Sequence, residues 1–241
     1  MNVKDAVVFI TGANRGIGLA FAREASLRGA ARVYGGVRNA QGFDVPGVVP
    51  VQIDVTRGDS VAAAAAQCAD TTLLVNNAGI GRAGTGPLDS VMEQQSRDVF
   101  ETNYYGVLRV TQAFAPVLSR NGGGAVINVL SNASWLPSPM LAAYAASKAA
   151  AWSLTNTLRL QLKNQGTQVL ALHVGFVDTD LVKAIDVPKT SPAEVVRQTL
   201  DALEAGKDEV LADEGTRVLK RALSRSRSPY LDPSSLHERS R

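Results

Sequence analysis

Cysteine and histidine are almost missing from this chain of 241 residues. A single cysteine, Cys68, cannot close an internal disulfide, and two histidines, His173 and His237, fall short of a usual zinc set. No apolar run approaches the roughly 20 residues that cross a bilayer. The first apolar run, about four residues long, is too short for the core of a secretion signal. A net charge of +3 is too small to argue for nucleic acid as a partner. These absences lead to the expectation of a cytoplasmic protein without structural metal.

Basic residues crowd the end of the chain, at Arg217, Lys220, Arg221, Arg225, Arg227, Arg239 and Arg241. No aromatic residues are interleaved to stack bases, so a solvated tail explains them better than a nucleic-acid arm. Residues 224–241, which open Ser-Arg-Ser-Arg-Ser-Pro, are expected to form a basic, poorly ordered tail. One domain is expected over residues 1–223.

Hydrophobic residues make up 45% of the chain and fall in a repeating order. Val7-Val8-Phe9-Ile10 suits a strand buried on both faces. Thr11-Gly12-Ala13-Asn14-Arg15-Gly16-Ile17-Gly18 follows, with a helical pattern from Leu19 to Leu27 stopped at Gly29. A glycine turn aiming N–H groups from a helix start is a natural diphosphate cradle. Further strands are expected at 32–37, 48–55, 72–75, 125–130 and 168–174, with a final edge strand at 209–212. The ten residues between the second and third strands leave room for a short helix or none. Asp59 or Ser60 is expected to cap an alanine-rich helix running to Cys68. Long helices are expected over 90–119 and 141–163. Ser191-Pro192-Ala193-Glu194 is a capping box opening another. Strands alternating with helices predict an α/β fold, a doubly wound parallel sheet with helices on both faces.

In such sheets ligands bind at the carboxyl ends of the strands. There the sequence places the glycine loop, Arg38, Asp54-Val55, Asn77-Ala78-Gly79, Ser131, and Gly175 to Asp180. Tyr144 and Lys148 stand four apart on one helical face. An ammonium beside a phenol stabilises the phenolate and lowers its pKa from about 10 toward neutrality. Ser131 could hold a substrate oxygen against that hydroxyl.

Thr11-Gly12-x3-Gly16-x-Gly18, Asn76-Asn77-Ala78-Gly79, Asn103, Ser131 and Tyr144-x3-Lys148 occur in an order and spacing that resemble the short-chain dehydrogenase/reductase family, from about Val7 to Asp180. The resemblance implies a single Rossmann-type domain that moves hydride between a nicotinamide cofactor and a carbonyl or alcohol. It implies Tyr144 as general acid for reduction and base for the reverse, Lys148 on the nicotinamide ribose, and Ser131 polarising the carbonyl. Asn103 would hold a water in the proton relay. Gly12, Asn14, Arg15, Gly16, Ile17 and Gly18 would form the cofactor loop, with Asn77, Ala78 and Gly79 beside it, and Asp54 and Val55 would meet adenine. Thr179 matches the residue that meets the carboxamide.

An NAD enzyme would carry an acid at the end of the second strand to grip the 2′-hydroxyl. Here Val37 and Arg38 stand there with Arg15 nearby, and two guanidinium groups suit a 2′-phosphate. NADP(H) is the expected cofactor. The sequence departs from the family pattern at Val174-Gly175, where Pro-Gly is usual, and at Leu130, where many relatives have serine. The glycine-rich final strand that builds one contact in tetrameric relatives is not recognisable, so the resemblance implies a homodimer through the two long helices. Trp135, Leu136, Pro137, Met140, Phe176 and Leu181 flank the expected site and favour a small apolar ketone or aldehyde, although they could equally be core. A non-catalytic NADP(H) sensor of the same fold is the alternative, and a nucleic-acid function of the tail a distant third.

Overall fold

The computed structural model describes residues 1–84, 86–182 and 186–236. His237, Arg239 and Arg241 of the basic tail lie outside the described residues. Seven strands form one sheet in the order β3-β2-β1-β4-β5-β6-β7, and every neighbouring pair is parallel. They are β1 (Val7–Thr11), β2 (Arg32–Val37), β3 (Val48–Gln52), β4 (Leu73–Asn76), β5 (Gly124–Val129), β6 (Thr167–His173) and β7 (Glu209–Leu211). The chain reverses direction across the sheet after β3, so the crevice between the β1 and β4 ends is the switch point where ligands bind in such folds.

The helices are α1 (Gly16–Leu27), α2 (Gly58–Gln67), α3 (Met92–Phe100), α4 (Gly106–Arg120), α5 (Ala142–Leu162), α6 (Pro192–Glu204) and α7 (Glu214–Ala222). Alternation along β1 divides the core between two layers. Val8 and Ile10 pack with Phe21 of α1 and with Val195, Val196, Leu200 and Leu203 of α6. Phe9 faces the opposite layer, where Phe114 of α4, Val61 of α2 and Leu158 of α5 meet it. The Phe9 and Phe114 ring centroids lie 4.6 Å apart, and both side chains are fully buried. Each such ring stabilises the fold by about 1.5–3 kcal/mol.

Two expectations need correction. The helix expected over 90–119 is interrupted: between α3 and α4, Glu101–Tyr105 form a π-helical turn. One extra residue in a turn barely disturbs apolar spacing, so periodicity could not reveal it, yet such turns gather at functional sites. The second concerns α2, which begins at Gly58 with Arg57 as N-cap and no side-chain cap. The Ser60 hydroxyl instead accepts a hydrogen bond from Asp54 N–H (2.9 Å), and an Asp59 carboxylate oxygen accepts from Ser60 N–H. The open strand end competes for the serine more effectively than the helix does.

Elsewhere the sequence patterns hold within a few residues. No helix fills residues 38–47. The Ser191 hydroxyl accepts from Glu194 N–H, one half of the capping box, while the Glu194 carboxylate turns to Arg197 and Gln198 and does not reach back. Strand β7 pairs parallel with β6 at the sheet edge. The boundary of β5 moves back to Gly124, whose φ of +98° is open to glycine and whose position allows no Cβ, since one would lie 2.0 Å from Thr72 O. Past α7 the chain continues to residue 236, with Ser228 buried and donating to Leu223 O and Arg225 O.

Two glycine substitutions separate backbone strain from collision. Gly42 has φ of +77°, and a Cβ added there would meet nothing within 4 Å. Gly42→Ala should therefore cost about 1 kcal/mol. Gly124→Ala adds the clash with Thr72 and should cost about 3 kcal/mol or more. Urea midpoints of the two variants measure the difference, and equal losses would contradict it.

Candidate active site

Glycine geometry shapes the floor of the crevice. Gly12 and Gly16 have φ of +68° and +55°. A Cβ on Gly18 would fall 2.2 Å from Gly12 O, so α1 can press against the turn before it only with glycine there. Arg15 stands at the N-cap of α1 without a side-chain cap, and the first turn carries no acid. The helix therefore presents its N–H groups and positive end to the crevice, with no carboxylate to compete for them. Asn77 fixes the turn against the end of β4. Its carboxamide donates to Thr11 O (2.9 Å) and Gly12 O (3.1 Å), while Asn77 N–H and Ala78 N–H donate to the Thr11 hydroxyl (3.0 Å each).

A cleft of about 980 Å³ opens along these strand ends. Gly12, Asn14, Arg15, Gly16 and Ile17 line one stretch of it, Arg38, Asp54 and Val55 another, and Asn77, Ala78 and Gly79 its middle. Ser131, Tyr144, Lys148 and Thr179 line it as well. Gly18 lies beneath the turn and Asn103 behind the wall. Three wall residues that sequence reasoning missed are Asn39 beside Arg38, Thr56 beside Val55, and Asn132 beside Ser131. Adjacency in sequence to a strand-end residue was the available signal for each.

Charge is concentrated at the end formed by β2 and β3. The Thr56 hydroxyl and N–H both donate to one Asp54 oxygen and hold that carboxyl below its usual range, with the Arg38 and Arg57 charges adding to the effect. Arg15 reaches across to Asp180 (3.4 Å), both side chains being about two-thirds exposed. Such an exposed pair is held weakly. The guanidinium is thus free to exchange Asp180 for a stronger anion, as Arg38 is from its position at the rim.

At the other end of the cleft stand Ser131, Tyr144 and Lys148. The Ser131 hydroxyl lies beside the Tyr144 phenol, accepts from Ala133 N–H at 3.1 Å and reaches Asn132 Oδ1 at 3.4 Å. Burial pushes the Tyr144 phenol above its ordinary pKa, and the neighbouring Ser131 hydroxyl opposes that rise only in part. The lowering expected from Lys148 is not what this arrangement gives. The Lys148 ammonium donates instead to Val129 O at 2.8 Å and lies 5.7 Å from the Tyr144 ring centroid. Burial brings Lys148 itself down to about 8. The two groups are adjacent, with the lysine drawn to the buried carbonyl at the end of β5.

Asn103 sits in the π-helical turn and is fully buried. Its side-chain oxygen accepts from Ile80 N–H (2.8 Å), and its amide donates to Ile80 O (2.9 Å) and to the Ser147 hydroxyl (3.0 Å). That hydroxyl donates in turn to Tyr144 O at 2.7 Å. The carboxamide therefore ties the loop after β4 to the turn of α5 that carries the tyrosine. Trp135, expected beside the substrate, is instead buried against His173 and Trp152. Phe176 lines the cleft, and Met140 is largely exposed away from it. The Leu181 side chain lies outside the described residues. No group of three His, Cys, Asp or Glu is placed to hold a metal among the described residues, and among them no helix is long and apolar enough to cross a membrane.

Comparison with known proteins agrees with this architecture. Residues 6–189 match the family model for short chain dehydrogenase. Dehydrogenase/reductase SDR family member 7B of Bos taurus is 32% identical, over 88% of this chain and 74% of that protein. The probable oxidoreductase EphD of Mycobacterium tuberculosis is 36% identical over 74% of this chain, which spans about a third (32%) of its length. Among solved structures, a short chain dehydrogenase from Burkholderia cenocepacia in complex with NADP superposes with a TM-score of 0.89 at 38% identity, covering 94% of this chain and 96% of that one. A short chain dehydrogenase/reductase from Burkholderia phymatum in complex with NAD gives 0.80 at 26% identity, covering 92% and 95%. With a parallel seven-stranded sheet, an uncapped glycine cradle at its switch point and a serine–tyrosine–lysine group at the same crevice, the chain belongs to the short-chain dehydrogenase family of oxidoreductases.

Proposed function

We propose that this protein reduces a small apolar ketone or aldehyde with NADPH, and oxidises the alcohol with NADP⁺ in reverse. The observation that carries the reading is that Ser131, Tyr144 and Lys148 line the same cleft as the glycine cradle. The residues fit the dinucleotide. The uncapped start of α1 suits a diphosphate, and a Cβ on Gly12 or Gly16 would crowd the turn at 3.1 or 3.0 Å. Arg38 and Arg15 supply charge for a 2′-phosphate where no acid follows β2. The solved relative at 38% identity holds NADP, which supports the same choice here, while the relative at 26% holds NAD.

When bound, the cofactor supplies or accepts a hydride at the carbonyl carbon. Ser131 donates to the carbonyl oxygen and holds it against the Tyr144 hydroxyl. Tyr144 gives its proton to that oxygen as the carbon–oxygen double bond becomes a single bond, so the carbonyl gains one hydride and one proton. A buried phenol with a raised pKa is a reluctant proton donor. Lys148 would hold the ribose when the cofactor is bound, and its positive charge would favour the ionised tyrosine. Asn103, its carboxamide committed, would meet a relay water through its main chain. Ile80, Ala83, Leu141 and Phe176 line the cleft together with Tyr144, and none of these four carries a charge. Those walls suit a neutral, apolar carbonyl better than a sugar or an acyl thioester. Small-molecule substrates, a homodimer through α4 and α5, and a cytoplasmic setting complete the reading.

Three measurements test it. Tyr144→Phe should lower kcat about 10³-fold while NADPH still binds, read by nucleotide fluorescence. If the wild type binds NADPH and turns over no member of a carbonyl panel, the sensor reading takes its place. Arg38→Ser should raise KM for NADPH about tenfold or more and leave KM for NADH unchanged; equal changes for both would remove the 2′-phosphate assignment.

The third measurement uses the buried lysine. With a folded pKa near 8 against 10.5 in the free side chain, the folded state binds fewer protons than the unfolded state between those values. Stability should therefore rise with pH from about 8 to 10.5, the full penalty for burying the charge being present below 8. Lys148→Met removes that penalty and loses one hydrogen bond. It should be more stable than wild type by about 2 kcal/mol near neutral pH, and inactive. The gap should narrow by about pH 10, measured by urea unfolding at both pH values. A variant less stable than wild type at neutral pH would contradict the burial cost.

A further inference from the structure

Directly behind Ser131 lies a buried histidine that the proposed chemistry does not use. His173 ends β6 with no exposed surface. Its ring stacks on Trp135 with centroids 4.0 Å apart and planes 26° apart, and Trp152 meets it edge-on at 6.4 Å. Nδ1 is 3.2 Å from Ser131 O. A carbonyl only accepts, so Nδ1 must carry the proton. The same carbonyl also accepts from Ser134 N–H at 3.1 Å. Two donors thus fix the plane of the Ser131 peptide, one from the turn after it and one from the neighbouring strand.

The other side of the ring is closed by charge. Nε2 has no hydrogen-bond partner and stands 3.6 Å from a Glu209 carboxylate oxygen. That oxygen accepts from the Lys220 ammonium at 3.0 Å, and the ammonium lies 4.5 Å from the Trp135 ring centroid. Burial holds the His173 imidazole down at about 3, with the Lys220, Lys148 and Arg159 charges acting the same way against the raising effect of the Ser131 bond. The ring is therefore neutral across the range in which a dehydrogenase works. With its proton on Nδ1 the neutral imidazole turns its Nε2 lone pair toward a Glu209 oxygen 3.6 Å away, beyond hydrogen-bond range and neutralised by Lys220, whereas the opposite tautomer would set the Nδ1 and Ser131 O lone pairs against each other at 3.2 Å.

We propose that His173 is a positioning residue for the reaction: its Nδ1–H bond to the Ser131 carbonyl sets where the Ser131 hydroxyl meets Tyr144 and the substrate oxygen. This rests on the carbonyl-reductase reading for its consequence, though not for its geometry. The Ser131 hydroxyl already accepts from Ala133 N–H at 3.1 Å, so its direction follows the main chain of the turn. A small tilt of that peptide moves the hydroxyl out of line with the phenol, and misplacement of this kind lowers turnover more than cofactor binding.

The chain has two histidines, so nitrogen NMR of ¹⁵N-histidine protein resolves them, with His237→Ala for assignment. His173 should stay neutral with its proton on Nδ1 from about pH 5 to 9; an Nε2–H tautomer or an imidazolium at neutral pH overturns the proposal. Two variants then test the consequence. His173→Asn keeps a donor near the Nδ1 position, whereas His173→Gln carries its amide toward the Nε2 position. His173→Asn should retain kcat within about threefold of wild type, and His173→Gln should lose about tenfold or more, with KM for NADPH within about twofold in both. Equal kcat for the two variants overturns the proposal. If wild type reduces no carbonyl compound, the functional reading fails, while the NMR tautomer and the position of Ser131 in crystals of His173→Gln still decide the positioning role. If His173→Gln does not fold, the wild-type tautomer decides it alone.

Discussion

Everything in the crevice depends on the Asn77 carboxamide holding the glycine turn. A loop with Gly12 and Gly16 at positive φ has little stiffness of its own. Asn77 supplies it by donating to two consecutive carbonyls of that loop, while Thr11 receives the N–H groups of Asn77 and Ala78. The ends of β1 and β4 are thus locked together where the chain changes direction across the sheet. A neighbouring buried ladder extends this outward: Asn76 donates to Asn128 (2.8 Å) and Thr111 (3.0 Å), and Asn128 donates to Thr155 (2.9 Å). Polar groups this deep are costly unless paired, and although Asn76 Oδ1 has no partner the three bonds of the ladder favour one register of β4, β5, α4 and α5. Tyr144 and Lys148 ride on α5, and their placement over the strand ends follows from that register.

Burial at the site favours function over stability. Tyr144 and Lys148 both lie where their charged forms are disfavoured, one pushed up and the other brought down to about 8. Hydrophobic residues there would serve the fold better. What the arrangement provides is a phenolic proton and an ammonium side by side and removed from bulk water, where a change of field at one is felt strongly at the other. Lys148 meets that burial with a single hydrogen bond, to Val129 O.

The sheet, its strand-end residues and most helix limits were legible because apolar runs and glycine breaks report local geometry. Arg38, Asp54 and Ser131 could be named because a parallel sheet sends every strand end to one edge, and Tyr144 because it stands one helical turn before Lys148. The π-turn was not legible, since Val99, Phe100, Tyr104 and Val107 keep an almost helical spacing through it. Nor was the use of Ser60, where two N–H groups compete for one hydroxyl and only the three-dimensional distance decides. Trp135 follows the site serine in sequence and was expected beside substrate, but the short 3₁₀ turn at Asn132–Ser134 carries it into the core. The direction of Lys148 was hidden for a similar reason: helical spacing fixes which face a side chain leaves from, and a carbonyl on another strand decides where its end goes.

The stretch beyond the family match, after residue 189, contributes directly to the shape of the site. Asp213 caps α7 by accepting from Thr216 N–H, and its other oxygen accepts from Gly175 N–H at 2.7 Å. Gly175 stands in the loop that follows β6, where the usual Pro-Gly is replaced by Val-Gly. Proline would have stiffened that loop through its ring, with φ fixed near −65°. Here a carboxylate from α7 holds it instead, and a Cβ on Gly175 would press on the Asn132 amide at 3.0 Å. From the same helix, Lys220 covers Trp135 and pairs with Glu209 beside His173. The rigidity missing from one loop is thereby supplied by α7, so loosening α7 should be felt at Ser131 and Thr179 before the sheet itself is disturbed.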